Sequence, residues 1–463
     1  MVLPATTVWE VRLAGNDTNG GAFDSAVGGS TDYSQQDTKN TTGSNISTTD
    51  AVANGTTTIT SATGAFTSVL AGNVIYLSGG SGSIAAQWRK VVSVTNATTI
   101  VIDATIAAST GMTMNIGGAL ASPGMAMASV VASNWVYVKG GPYVCSATAN
   151  VSGGKIQWTV NGTGPAPNRM IGYTTTRGDG GYATLQAGAN SMSILQHNVG
   201  AFTQWDNIAL ALSGAQTTVT GITAAGNGYM NNCKFTGLAT SANCTTGALV
   251  LFRCQSFNHT SVGLALVNQG SIAFGCYVTG GTAGSGYQLS AGAYCVDCIA
   301  YNNAGNGFQI AGIMAGCINC ISYGNTGASG DGFRLNNTVG LWTLMNCIGV
   351  NNAQKNFNDN NAPTVQILSV FNCAGYNPGV ADTLGALAKT GFVTLTADPC
   401  KNAAGGDFSP SSTAGGGAAC RGAGYPVTIP GISTNDFRNI GMQDLVNNVS
   451  AYLGANMRGG FIN

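Results

Sequence analysis

Cys298-Ile299-Ala300-Tyr301-Asn302-Asn303 and Cys320-Ile321-Ser322-Tyr323-Gly324-Asn325 are successive copies of one pattern. Cys347-Ile348-Gly349-Val350-Asn351-Asn352 and Cys373-Ala374-Gly375-Tyr376-Asn377 continue it. Extended backwards, the file reads Cys233, Cys254, Cys276, Cys298, Cys320, Cys347 and Cys373, in steps of 21, 22, 22, 22, 27 and 26 residues. A fixed period of this size marks stacked supersecondary units. A second apolar segment follows at a nearly constant offset: Gly286-Tyr287-Gln288-Leu289, Gly307-Phe308-Gln309-Ile310 and Gly332-Phe333-Arg334-Leu335. Each unit therefore reads strand, Asn/Gly turn, strand.

The pattern predicts an all-β chain: a right-handed parallel β-helix with a small N-terminal β-unit and a short C-terminal helix. In such a coil like residues stack at about 4.8 Å, so the periodic stretch from residue 201 to 380 stacks to roughly 40 Å. Cysteine, small and apolar in behaviour, suits an inward file. Asn and Gly at the corners tolerate left-handed backbone, and stacked amides can bond from rung to rung. These repeated units resemble the pectate-lyase-like β-helix superfamily. That resemblance implies a fold shared by enzymes, adhesins and phage spikes, so it speaks to architecture more than to activity.

Of the 463 residues, 44% are hydrophobic and only 7% charged, with 68 glycines and zero formal net charge. Disorder needs low hydrophobicity and high net charge, and nucleic-acid binding needs clustered Lys and Arg; neither pattern is present. No apolar run is long enough for a transmembrane helix. Met1-Val2-Leu3-Pro4-Ala5-Thr6-Thr7 has neither a basic nor an apolar signal-peptide region,. Synthesis in a host cytoplasm and residence in a virion are therefore expected, with the 13 cysteines reduced and buried,.

The chain divides as follows. Residues 1–45 are an N-terminal arm or cap, with Trp9-Glu10-Val11-Arg12 alternating like a strand. Residues 46–118 form a small β-domain, with strands expected at 56–60, 74–77, 88–94, 99–102 and 113–116. Residues 119–380 are the parallel β-helix, whose entry Trp135-Val136-Tyr137-Val138-Lys139-Gly140-Gly141-Pro142-Tyr143 resembles early rungs of the same superfamily. Residues 381–440 break the period and read as terminal rungs and cap. Residues 441–463 are a helical tail, its apolar stripe formed by Leu445, Val449, Tyr452, Leu453 and Met457,.

Cys295-x-x-Cys298 followed by Cys317-x-x-Cys320 has zinc-site spacing,. Strand residues at i and i+3 point to opposite faces, however, so each pair is expected to straddle the wall, and no metal or other cofactor is expected. A polysaccharide lyase or hydrolase needs paired carboxylates, or acidic calcium ligands beside a base. The only cluster of that kind is Asp331 and Arg334, with Lys355 and Asp359 one rung on. A surface salt bridge between Asp331 and Arg334 accounts for the first two. Asp297 stands where later rungs carry Asn319, Asn346 and Asn372, as one member of an amide file. Tyr301, Tyr323 and Tyr376 form a file that could stack on sugar rings or simply stabilise the sheet.

These readings favour a non-enzymatic structural protein of a phage virion. It would be a tail spike, fibre or capsid-decoration subunit, serving attachment or shell reinforcement. A polysaccharide lyase or hydrolase on a β-helix is the alternative, and a surface adhesin the second. The expected partners are two further copies in a homotrimer, other capsid or tail proteins, and a host-surface glycan. Neither nucleic-acid binding nor membrane insertion is expected.

Overall fold

The computed structural model describes residues 3–37, 46–197, 202–290, 292–336, 341–360, 367–383, 388–424 and 440–441. The chain forms two compact units, broadly the residues up to Ala209 and those from Leu210 on.

In the first unit, strand Thr7–Arg12 pairs antiparallel with Ala22–Asp24 and parallel with Trp135–Lys139. Trp135–Lys139 pairs parallel with Asn168–Tyr173, which pairs parallel with Thr203–Asp206. The arm thus supplies the first strand of a parallel sheet, covering an edge that would otherwise be exposed. Six further strands, Ile46–Ala53, Thr58–Thr60, Val74–Gly79, Ile84–Asn96, Thr99–Ile102 and Ser109–Ile116, close into a barrel. Its core holds Ile46, Ile59, Leu77, Val91, Ile100 and Met114. Strand Ile46–Ala53 escaped the sequence reading. Its inward residues include Thr48, Ala51 and Ala53, which give little hydrophobic contrast with the exposed Ser47 and Thr49.

The second unit is the ladder. One rung supplies Tyr294–Val296, Ile299–Tyr301 and Phe308–Ile310; the next supplies Gly316–Ile318, Ile321–Tyr323 and Phe333–Leu335. All three pairs are parallel and in register: Cys295 on Cys317, Ile299 on Ile321, Phe308 on Phe333. The general handedness of parallel crossovers makes the coil right-handed. The register persists into the following rung, with Ile348 on Ile321 and Phe357 on Phe333. The longer 27-residue step therefore lies in the corners and not in the strands.

Two corners of each rung use left-handed backbone. Asn232, Asp297, Asn319, Asn346 and Asn372 precede ladder cysteines with φ between 46° and 57°, as does Arg253. Asn258, Asn302, Asn351 and Asn377 form the second such row. Asn and Asp pay less than other L-residues for this conformation. Beyond the second corner a buried amide ladder runs along the coil. Asn303 Nδ2 donates to Asn325 Oδ1 (3.0 Å), Asn325 Nδ2 to Asn352 Oδ1 (2.7 Å), and Asn352 Nδ2 to Asn356 Oδ1 (2.8 Å). Tyr287, Phe308, Phe333 and Phe357 stack inside, with successive centroids 4.7, 4.9 and 5.1 Å apart. Gly307 precedes one of these rings because a Cβ there would come within 2.1 Å of Ser322 Oγ and 2.8 Å of the Gly332 carbonyl.

The ladder cysteines Cys233, Cys254, Cys276, Cys298, Cys320, Cys347 and Cys373 are buried and free. Their thiols also hydrogen-bond. Cys298 Sγ donates toward the carbonyls of Ala273 (3.4 Å) and Val296 (3.3 Å), and Cys320 Sγ toward those of Cys295 and Ile318. Contrary to the expected straddling, Cys295 and Cys298 are both fully buried, as are Cys317 and Cys320. The left-handed corners at Asp297 and Asn319 reset the alternation, so both members of each pair turn inward. Among the described residues no group of three or more Cys, His, Asp or Glu is arranged to hold a metal ion.

Ala388–Thr390 and Val393–Thr394 continue the rungs. From Leu395 the chain leaves the coil. It forms the hairpin Cys400–Asn402/Asp407–Pro410 and a short helix, Gly417–Cys420, against the outer face of Ile299, Ile321 and Ile348. That row of outward isoleucines needs apolar cover, and Leu395, Phe408 and Cys420 supply it. A second short helix, Pro123–Met127, lies in the first unit. The expected tail helix lies outside the described residues.

Candidate functional site

Among the described residues the densest charged constellation is one the sequence did not reveal. Glu10, the chain's single glutamate, is fully buried. Arg12 Nε donates to its Oε1 at 2.8 Å, and Arg177 reaches its Oε2 with Nε at 2.8 Å and a terminal nitrogen at 2.6 Å. The Tyr173 hydroxyl also donates to Oε1. Arg12 continues to Asp37 and Arg177 to Asp32, each at 3.1 Å, and the Arg177 guanidinium lies 4.5 Å over the Tyr137 ring. Burial and the adjacent Glu10 charge push the Tyr173 phenol above its ordinary value. Every oxygen of the glutamate is engaged, so the set clamps the arm to the first rungs. The only sequence signal for it was a lone Glu in a charge-poor chain.

The four residues singled out as a possible acidic cluster do not converge. Asp331 is buried, accepting from the Lys355 backbone NH at 3.2 Å and from Asn358 Nδ2 at 2.7 Å. Lys355 Nζ donates to Asn358 Oδ1 (3.2 Å) and Thr383 Oγ1 (2.8 Å). Asp359 is in register with Leu335, and so faces away from Asn358,. The expected Asp331–Arg334 salt bridge does not form. Ion pairs among the described residues include none to Arg334. The carboxylate is instead taken by the next rung's amide, which the stacking places closer.

Arg334 belongs to an outward row: Gln288, Gln309, Arg334 and Asn358 stack in register on successive rungs. Beside this row the corners after the amide ladder leave a groove of about 480 Å³, reached by Ser285, Asn306, Gln309, Arg334 and Asn336. Small residues, among them Ala283, Gly284, Ala304 and Gly305, line the rest of it. A Cβ on Gly305 would lie 1.6 Å from the Gly284 carbonyl, and one on Gly284 would lie 1.6 Å from that of Ser261. Glycine is what lets these corners stack so closely. Ser285 Oγ donates to Gln309 Oε1 at 2.8 Å, and Asn306 Nδ2 to Ser285 Oγ at 3.3 Å. The Nε of Arg334 is buried without a partner. The groove thus offers hydroxyls, amides and one guanidinium, and no facing pair of carboxylates.

The tyrosine file lies elsewhere. Tyr301 and Tyr323 are tilted rings 5.8 Å apart, and Phe408 from the returning segment sits edge-on against both, at 5.2 and 5.9 Å. The Tyr323 hydroxyl donates to Asp398 Oδ2 at 2.8 Å; burial and this bond push the phenol up to about 12. Tyr376 is half-buried against the same cluster. These rings are partly covered by the chain's own hairpin.

No family model matches the chain, and no curated protein matches it by sequence. Among solved structures it is similar to pectate lyase Pel9A, at 14% identity and TM-score 0.47, covering 70% of this chain and 90% of that one. It is similar also to a rhamnogalacturonan lyase (16%, TM-score 0.35, covering 56% and 70%). A third similar structure is an alginate lyase from Paenibacillus sp. str. FPU-7 (12%, TM-score 0.37, covering 57% and 94%).

Proposed function

We propose that this chain is an attachment protein that holds a glycan on the outside of a β-helix without cleaving it, in the manner of a phage tail spike, fibre or capsid-decoration subunit. The observation that carries this reading is the groove across three rungs, furnished with hydroxyls, amides and a guanidinium. Glycoside hydrolysis calls for two carboxylates flanking the bond, and Asp331, the nearest acid in sequence to the groove, is buried and bonded to Asn358. The repeated rungs and their resemblance to a superfamily that includes phage spikes support the virion setting.

Incubation with acidic and neutral polysaccharides, read for binding and for new reducing ends or unsaturated products, tests the reading. Binding without products supports it. Cleavage that disappears in Asp331→Ala replaces it with a lyase or hydrolase. The virion role and the homotrimer stand on separate measurements: mass spectrometry and immunogold labelling of purified particles, and light scattering of the isolated chain.

A further inference from the structure

Phe252, Phe274, Val296, Ile318 and Met345 stand in register on successive rungs, each directly before a left-handed corner residue. Their strand neighbours Leu251, Ala273, Cys295, Cys317 and Leu344 are fully buried inside the coil, so alternation points this row outward,. A second outward row, Val250, Ile272 and Tyr294, runs beside it. Phe252 and Phe274 stack at 5.6 Å, and Val296 and Ile318 are only 2% and 8% exposed although they face out. The sheet that carries Phe308–Ile310 differs: its outward row is the polar series Gln288, Gln309, Arg334 and Asn358. A parallel sheet that is apolar on both faces is one that is covered on both.

The chain already covers the neighbouring outward row, Ile299, Ile321 and Ile348, and Ile440 belongs to that cover. The Ile440 NH donates to the Cys420 carbonyl at 2.9 Å, and the Gly441 NH to the Asn346 carbonyl at 2.8 Å. A Cβ on Gly441 would lie 2.4 Å from Ile348 Cδ1. Asn346 is the corner between Met345 and the isoleucine row, so Gly441 stands at the border of the two rows. The residues that follow it carry the apolar stripe Leu445, Val449, Tyr452, Leu453 and Met457. As a helix, 442–457 would be about 24 Å long at about 1.5 Å per residue. The row from Phe252 to Met345 runs about 19 Å over four strand spacings, so the segment is long enough to cover it. We propose that residues 442–457 dock on the outward face of this row with the stripe turned toward Phe274, Val296, Ile318 and Met345. The cover of one sheet then continues round the corner as the cover of the next.

The test is hydroxyl-radical footprinting of the full chain, read by mass spectrometry at Phe274, Tyr294 and Met345, with the interior ring of Phe333 as the folded reference. Wild type is compared with the double variant Val449→Asp/Leu453→Asp, which charges the stripe, and with Asn447→Asp, which lies on the opposite side of such a helix. Truncation after Gly441 repeats the comparison without added charge. In wild type the three outward side chains are expected to react slowly. A several-fold rise at all three is expected in the double variant and in the truncation, with Phe333 unchanged, and Asn447→Asp should keep the wild-type pattern. Fast reaction at these positions in wild type overturns the proposal, as does protection that survives both the double variant and the truncation. Protection that weakens on dilution, in step with a dimer or trimer seen by light scattering, makes a second copy the cover and overturns it as well.

Discussion

Asp297 occupies a left-handed corner where other rungs carry Asn, and it is buried with Asn319 Nδ2 on its Oδ1. Burial pushes its carboxyl up to about 7, against the lowering effect of Asn319. A free aspartate ionises near 3.9. Between those values the unfolded chain releases a proton that the folded chain keeps, so stability falls as pH rises from about 4 to 7 and stays reduced above that. His259 works in the opposite sense. Burial lowers its pKa to about 4, so the folded state loses stability as pH drops below the ordinary histidine value of about 6.5,. The two slopes oppose each other between about pH 4 and 6.5, and the wild-type profile hides both. Asp297→Asn should isolate the first. Relative to wild type it is expected to gain a few kcal/mol at pH 8 and little at pH 4, measured by denaturant titration of the ladder. Glu10 is the other residue whose environment decides its role. Glu10→Gln leaves two partly buried guanidiniums short of charge and should destabilise the first unit by about 2–4 kcal/mol,. Proteolysis should then open the arm before the ladder unfolds.

At the scale of elements, each interior file has its own physics. The thiols pack and donate to strand carbonyls, the asparagines form an amide ladder, and the aromatic rings stack at strand spacing. Asn325→Ala interrupts the amide ladder on both sides, leaving Asn303 Nδ2 and Asn352 Oδ1 without these partners. A loss of about 2–4 kcal/mol is expected, read from hydrogen exchange in the flanking rungs. Asn325→Asp, which keeps an acceptor but removes a donor, should fall between. The returning hairpin is held differently, by apolar contact and a few bonds such as Asn372 Nδ2 to the Ala423 carbonyl at 2.6 Å. Phe408→Ala removes the ring that touches Tyr277, Tyr301 and Tyr323. It is expected to cost the hairpin about 3 kcal/mol. Limited proteolysis should then cut within 395–424 while the ladder's melting is little changed.

For the molecule, the outer surface matters more than the interior. Only 7% of residues are charged, and formal net charge is zero. Solubility rests on hydroxyls and amides, and long-range electrostatic steering of a ligand is weak. Stacked rungs also contact chiefly their neighbours, which makes unfolding of the second unit approximately one-dimensional. Exchange protection lost in Asn325→Ala should therefore spread outward from that rung with distance, instead of appearing uniformly.

The period of the cysteines, the Asn/Gly corners and the Gly-aromatic segments were enough to determine the parallel coil, its rungs and the inward files. A repeat carries that information because every rung faces the same packing problem and answers it with the same residue types. What only tertiary structure decided has no repeat behind it. The left-handed corner at Asp297 and Asn319 turned both cysteines of each pair inward, a local geometry that period-two alternation does not contain. Glu10 met Arg177 across 167 residues, and Phe408 returned to cover Tyr301 and Tyr323. Asp331 bonded to Asn358, one rung on, instead of Arg334, three residues away. In a stacked coil residues about one rung apart in sequence lie one strand spacing apart in space. Polar partners are therefore chosen along the axis, and the charge left over at Arg334 could be identified only after that choice was visible.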